Sequence, residues 1–186
     1  MNPKNPAILV ERVIAFAKIV YPKHNLENHI LPAVRIGADF ARQLSADRLI
    51  VETALYLHDT GRILFFYKYH EQVGYYLTKA LLPLLGYTKE QVHAIACCVK
   101  VHSGKGIHPF DTIEAEIVAN ADAVAQFENF LYMFSIHFAT HGRDLEKTKG
   151  WLSRKYERSW QTKLTLAVSR DRVMQVYPGI KQALEL

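Results

Sequence analysis

Six residues of this 186-residue chain have the types and the spacing to do chemistry: His29, His58, Asp59, His70, His102 and Asp122. Each falls on, or ends, an apolar stripe of helical period. His29 precedes Ala33, Ile36 and Phe40 at offsets of four, seven and eleven, and His58 lies four residues past Ala54 with Asp59 next to it. His70 heads the row Val73, Leu77, Leu81, and His102 continues Val92, Ile95, Val99. Asp122 sits four after Val118 and three before Ala125. Residues at such offsets share a helix face, so four imidazoles and two carboxylates are expected to point into one interior. An imidazole is cheap to bury with one partner, whereas a lone carboxylate is not. The inward stripes offer Asp59 and Asp122 no Arg or Lys. Histidines can satisfy them directly, or one divalent cation can neutralise both. A mixed imidazole and carboxylate shell suits Fe, Mn, Co, Ni or Zn.

The elements that must carry these residues all read as helices. The apolar period predicts helices over 25–44, 46–57 and 70–85, and Thr88 with Gln91 forms a capping-box start for a helix through Val99. Asp111 with Glu114 offers a second such start, leading into an apolar run as far as Phe138. Gly61 is read as the stop of the helix bearing His58, and Gly86, residues 103–106 and Pro109 as further punctuation. Two or three more helices are expected over 143–186, with a break near Pro178-Gly179. No internal repeat, low-complexity tract or alternating strand is present. The expectation is all-α: one domain over 1–186 with about seven to nine helices.

Composition agrees with a folded domain. Hydrophobic residues make up 49% and charged residues 22%, which excludes a disordered tail protein. No run approaches the ~20 apolar residues of a bilayer span, and Met1–Pro6 lacks the charged-then-apolar order of a signal peptide. Cys97 and Cys98 are adjacent, which suits neither a structural disulfide nor a metal knuckle. A cytoplasmic protein without membrane contact is therefore expected, with room for a homo-oligomer. The net charge of +5 is unevenly spread: Arg143, Lys147, Lys149, Arg154, Lys155, Arg158 and Lys163 are opposed only by Asp144, Glu146 and Glu157. This stretch reads first as a solvated helix face with i,i+4 pairs. A nucleic-acid or polyphosphate surface is the sharper alternative, and no recognisable nucleic-acid motif accompanies it.

The ordered set His29, His58-Asp59 and Asp122 resembles the HD-domain superfamily of metal-dependent phosphohydrolases. Leu55-Tyr56-Leu57-His58-Asp59-Thr60-Gly61-Arg62 is similar to that family's apolar approach, doublet and glycine exit, and Asn120-Ala121-Asp122-Ala123 to its closing element. The doublet follows His29 by 29 residues and precedes Asp122 by 63. His70, in His70-Glu71-Gln72-Val73-Gly74, and His102 match two further histidines of many members. Ser103 stands where members with two metals often carry another His. The resemblance spans about 26–127, a core motif region of 25–127 with a helical extension over 143–186.

What the resemblance implies is a divalent metal (Fe, Mn, Co, Ni, Zn or Mg) held by His29, His58, Asp59 and Asp122, with a second ion through His70 and His102 as an option. Asp59 would also orient the attacking water. His70 or His102 would serve as general acid, and Arg62 and Lys105 would meet a phosphate. The substrate would be a small phosphorylated molecule, such as a nucleotide, rather than nucleic acid. Two other readings belong to the same superfamily: a di-iron oxygenase of the myo-inositol oxygenase type, and a non-catalytic ligand sensor. Outside this set, His137 reads as a core histidine beside Phe127, Phe130 and Phe134, His24 and His108 as loop residues near the pocket edge, and His93 as exposed. Glu27 stands close enough in sequence to His29 to support it, and Trp151, Tyr156 and Trp160 are available as pocket walls.

Overall fold

The computed structural model describes residues 5–65, 69–104 and 110–185. Among these are twelve α-helical segments, one π-helical turn and no strand, and ten of the α segments have at least eight residues. That is slightly more than the seven to nine expected. In order they are α1 (Pro6–Val20), α2 (Lys23–Asn25), the π turn (Leu26–Ile30), α3 (Leu31–Gln43), α4 (Arg48–Leu57), α5 (Thr60–Leu64) and α6 (His70–Leu85), then α7 (Lys89–Val101), α8 (Ile113–Glu128), α9 (Phe130–Thr140), α10 (Leu145–Thr162), α11 (Ala167–Met174) and α12 (Tyr177–Glu185). No described helix is long and apolar enough to cross a membrane.

The centre of the molecule is α8. Every residue from Ile117 to Ala125 is buried, and a helix apolar all round must be enclosed by others. Its alanines at 119, 121, 123 and 125 keep it thin, so α3, α4, α7 and α11 all pack against it. Gly37 of α3 serves the same end, because a Cβ there would overlap the Leu55 side chain. Phe40, Leu55, Ile95, Ile117 and Phe127 fill the spaces between these helices, each stabilising the fold by about 1.5–3 kcal/mol. The last three helices are tied to this core. Tyr156 donates to the Gln126 carbonyl at 2.9 Å, and the Asn120 side chain bonds Thr165, Leu166 and Ser169.

Several expectations shift in detail. The predicted helix over 25–44 begins at Lys23 and contains the π turn, in which the Leu31 N–H bonds the Leu26 carbonyl five residues back. The Thr88–Gln91 capping box is present. Asp111 does not cap α8; Thr112 does, and Glu114 instead accepts from the Asp47 backbone N–H at the start of α4. The apolar run to Phe138 breaks at Asn129. Pro178 and Gly179 lie inside α12, where proline is tolerated because first-turn N–H groups lack helical partners. The break falls at Gln175–Val176 instead. On α6 the buried row is His70, Gly74, Thr78 and Leu82, one position off the predicted Val73, Leu77 and Leu81, which are half-buried. Small residues face inward there because α5 and α7 approach closely.

Candidate metal centre and its cation-lined cavity

His29 occupies the π turn, which widens the helix and swings the imidazole toward α8. His58 ends α4, and Asp59 follows in a bridge conformation (φ −99°, ψ 4°) that turns the chain into α5. Gly61 is therefore no helix stop. It lies within α5, and a Cβ there would overlap the His70 carbonyl and come within 2.7 Å of the Gly74 nitrogen. That close approach brings the first turn of α6, and so His70, against the His58-Asp59 pair. His102 ends α7, and Asp122 projects from the middle of α8. All six side chains are buried.

Their reactive atoms converge. His29 Nε2 lies 3.2 Å from His58 Nε2, 3.3 Å from Asp122 Oδ1 and 3.5 Å from Asp59 Oδ2. His58 Nε2 is 3.6 Å from Asp122 Oδ1 and 3.8 Å from Asp59 Oδ2. Donors about 2.1 Å from a common ion lie roughly 3.0–3.4 Å apart for right-angle or tetrahedral coordination, so these spacings suit the edges of a metal polyhedron. Hydrogen positions point the same way. His58 Nδ1 is 2.8 Å from the Leu55 carbonyl and His102 Nδ1 is 2.7 Å from the Val99 carbonyl. A carbonyl only accepts, so both Nδ1 atoms carry the hydrogen and a neutral ring turns an Nε2 lone pair toward the carboxylates. Lone pairs facing lone pairs need a cation between them, and backbone-locked imidazoles are the usual support of metal ligands. The donor set fits a divalent ion.

The imidazoles form a chain, with ring centroids 5.2 Å apart for His29–His58, 5.0 Å for His58–His102 and 5.2 Å for His102–His70. Asp59 spans it: Oδ2 faces His29 and His58, while Oδ1 is 3.9 Å from His102 Nε2. Two groups able to hold a metal, His29/His58/Asp59 and Asp59/His70/His102, thus share one carboxylate. Electrostatics separates their roles. Burial alone would push the Asp59 carboxyl up, but the charges of His58 and His29 and the nearby Arg62 hold it far below the usual range. Burial opposes charge on His58, yet Asp59 and Asp122 still raise it above an ordinary imidazole: without an ion, a proton on Nε2 fills the place that a divalent cation would take. His102, desolvated and beside His58, is pushed down to about 4.

Asp122 has partners that the inward stripes did not show. Its Oδ1 accepts from Gln126 at 2.7 Å and its Oδ2 from Lys163 at 2.8 Å. Against the effect of burial, Lys163, His58 and His29 keep this carboxyl well below the usual carboxylate range. Lys163 ends α10, in the basic stretch read above as a solvated face. That reading holds for the exposed Arg143, Lys147 and Arg154 but not for Lys155, Arg158 and Lys163, which with Asp59, His70, His102 and Asp122 line a cavity of about 440 Å³ beside the His/Asp cluster. Arg62 lines it as well, 3.8 Å from Asp59. The available signal was the excess of cations at helical spacing, Lys155 and Arg158 among them; no local pattern shows that α10 lies over the cluster. Lys105 and His108 fall outside the described residues.

The remaining expectations divide. Trp151 lines the cavity, whereas Tyr156 and Trp160 pack against Phe127 and Tyr177 respectively. His137 is buried with its ring 3.8 Å from Trp151 and is pushed down to about 4 by burial and nearby cations. His93, His24 and Glu27 are exposed. Cys98 is buried and Cys97 is half-buried within α7; both are free thiols.

Comparison with known proteins bears on the fold and the family. No curated protein matches the chain. The crystal structure of a predicted HD superfamily hydrolase from an uncultured Thermotogales bacterium is similar in fold, with a TM-score of 0.62 at 12% identity over 94% of this chain and 88% of that one. The family model of the HD domain matches residues 26–126, which include all six clustered residues. With over half its length matched and its His and Asp side chains gathered as described, the chain belongs to the HD-domain family.

Proposed function

We propose that this protein is a metal-dependent phosphohydrolase acting on a small phosphorylated molecule, with nucleotides among the substrates to be tested. The observation that carries the reading is the cavity in which the His/Asp cluster faces Arg62, Lys155, Arg158 and Lys163. Metal-ligating groups on one wall and cations on the other are what a phosphoryl group needs during attack by water. His29, His58, Asp59 and Asp122 would hold the ion. A bound divalent ion supplies a more acidic coordinated water and withdraws charge from phosphoryl oxygens. Asp59, ionised and reaching both halves of the imidazole chain, orients the attacking water. His102, neutral near pH 7, offers an Nε2 lone pair to an ion and is the poorer general acid of the two histidines. His70, at the cavity wall with Glu71 Oε2 3.3 Å from its Nδ1, can carry a proton to the leaving oxygen. Arg62 meets the phosphoryl oxygens.

His58→Ala and Asp59→Ala should each lower bound metal by at least about tenfold and remove phosphate release, with the helical circular-dichroism signal retained. Elemental analysis joined to a phosphate-release screen over nucleotides and sugar phosphates tests this. Parent-level hydrolysis in either variant overturns it. The carboxylate shared between two metal-capable groups favours a second reading, a di-iron oxygenase. In that case oxygen consumption, not phosphate release, would vanish in His70→Ala and His102→Ala.

A further inference from the structure

The cavity carries more positive charge than one phosphate can neutralise. Of its four cations, Lys163 is paired with Asp122 and Arg62 stands near Asp59. Lys155 and Arg158 make no ion pair with any described carboxylate, although three acids occur in the same basic stretch. Glu146 instead lies 3.4 Å from Lys149, Glu157 accepts from Tyr177 and Gln161, and Asp144 caps α10. Four cations and a divalent metal set against two carboxylates leave four positive charges. A phosphomonoester dianion would offset half of them.

The crowding affects the residues themselves. Lys155 is drawn down to about 8 by burial and by Lys163, Arg62 and Arg158, only partly relieved by Asp122. Lys155 and Arg158, gathered with Lys163 and Arg62 at one cavity and without an ion-pair partner among the described carboxylates, form a standing anion site. Ser159 lines the same wall one helical turn from Lys155, whereas the hydroxyl of Thr162, also at the wall, donates to the Arg158 carbonyl at 2.8 Å. The Lys155 ammonium also sits 5.7 Å from the Trp151 ring centre, a contact that fixes its direction without neutralising it.

Building on the phosphohydrolase reading, we propose that Lys155 and Arg158 form a second anion subsite, and that the substrate is a small molecule bearing two or more phosphoryl groups, one at the metal centre and the next against α10. A cavity of about 440 Å³ has room for a diphosphate. It is enclosed on two sides by the cluster and α10, which favours a compact ligand over a nucleic-acid strand.

The test measures binding, so it does not depend on turnover. Calorimetry on the metal-loaded protein compares orthophosphate with methylenediphosphonate, a diphosphate mimic that resists hydrolysis. The parent should bind the diphosphonate at least about tenfold more tightly. In the double variant Lys155→Met/Arg158→Met this preference should fall at least about fivefold, because the diphosphonate loses more affinity than orthophosphate does, while metal content and the circular-dichroism spectrum stay near parental values. Any chelation of metal by the probe cancels between parent and variant. Equal affinities in the parent overturn the subsite, as does a preference that survives the double substitution. Tighter binding of a decathymidylate than of the diphosphonate overturns the small-molecule assignment. If the preference behaves as expected but no phosphate ester is cleaved, the hydrolase reading fails and the subsite stands. Release of phosphate from monoesters with no diphosphonate preference gives the reverse.

Discussion

At the scale of single residues, Asp122 shows how the site is held. Its two oxygens are divided: Oδ1 faces His29, His58 and Gln126, and Oδ2 is bonded to Lys163, whose side chain is only 13% exposed. Removing one partner of a buried pair leaves the other charge uncompensated. In metal-free protein, Lys163→Met should therefore cost about 2–3 kcal/mol, or about 5–10 °C in melting temperature for a chain of this size. In metal-loaded protein an ion held by the proposed ligands would offset the same carboxylate, and less than half that loss should remain. Chelation should in turn destabilise the parent, since a ligand that binds only the folded state stabilises it by mass action. Scanning calorimetry of both proteins, with and without metal, reads all four values; equal losses in the two states would rule out the shared role. The clustered residues were legible because buried carboxylates and in-facing histidines break an apolar pattern. Lys163 was not, because its partner lies 41 positions away, and a lysine at a helix end looks the same whether it meets water or a carboxylate.

At the scale of elements, apolar spacing revealed most helices and much less of how they end and meet. The His29 stripe was read as unbroken α-helix, yet a π turn sits under it. The turn leaves no mark in this stripe because the stripe begins inside it at His29, with too few helical residues before it to show the change of phase. The buried face of α6 was displaced by one position because Gly74 and Thr78 are chosen for closeness rather than for apolar area. Gly61 was misread for a related reason: its lack of a Cβ serves contact between α5 and α6, not helix termination. Gly61→Ala should accordingly destabilise the protein by about 1–3 kcal/mol, the usual cost of overpacking. Because the overlap is with the His70 backbone, it should also lower kcat on any accepted substrate with metal content largely kept. Gly142→Ala is the matched control, with an added Cβ meeting no neighbour, although its positive φ carries a backbone penalty of its own. If Gly61→Ala lowers melting temperature no more than Gly142→Ala and leaves kcat unchanged, the close approach has no part in placing His70.

At the scale of the whole molecule, the HD region and the last third of the chain divide the site between them. Residues 26–126 supply the six metal-capable side chains, and α10 supplies the cations that face them. The extension thus closes the cavity as well as burying core surface, and Asn120 ties the segment that follows α10 to α8 two positions before Asp122. Joining these parts places Lys155 among Lys163, Arg62 and Arg158, and this sets a pH dependence. Lys155 is a cation below about 8 and loses its charge above that value. Binding an anion favours the charged form, so the transition in the complex lies higher than in the free protein, and affinity weakens as pH rises through the two. Methylenediphosphonate affinity should therefore fall several-fold between pH 7 and 9.5 in the parent. In Lys155→Arg, where the guanidinium stays charged throughout, most of that fall should disappear, while ionisation of the probe and of any metal-bound water affects both proteins alike. Parallel pH profiles for parent and variant would mean that the ammonium of Lys155 is not what the second phosphoryl group meets.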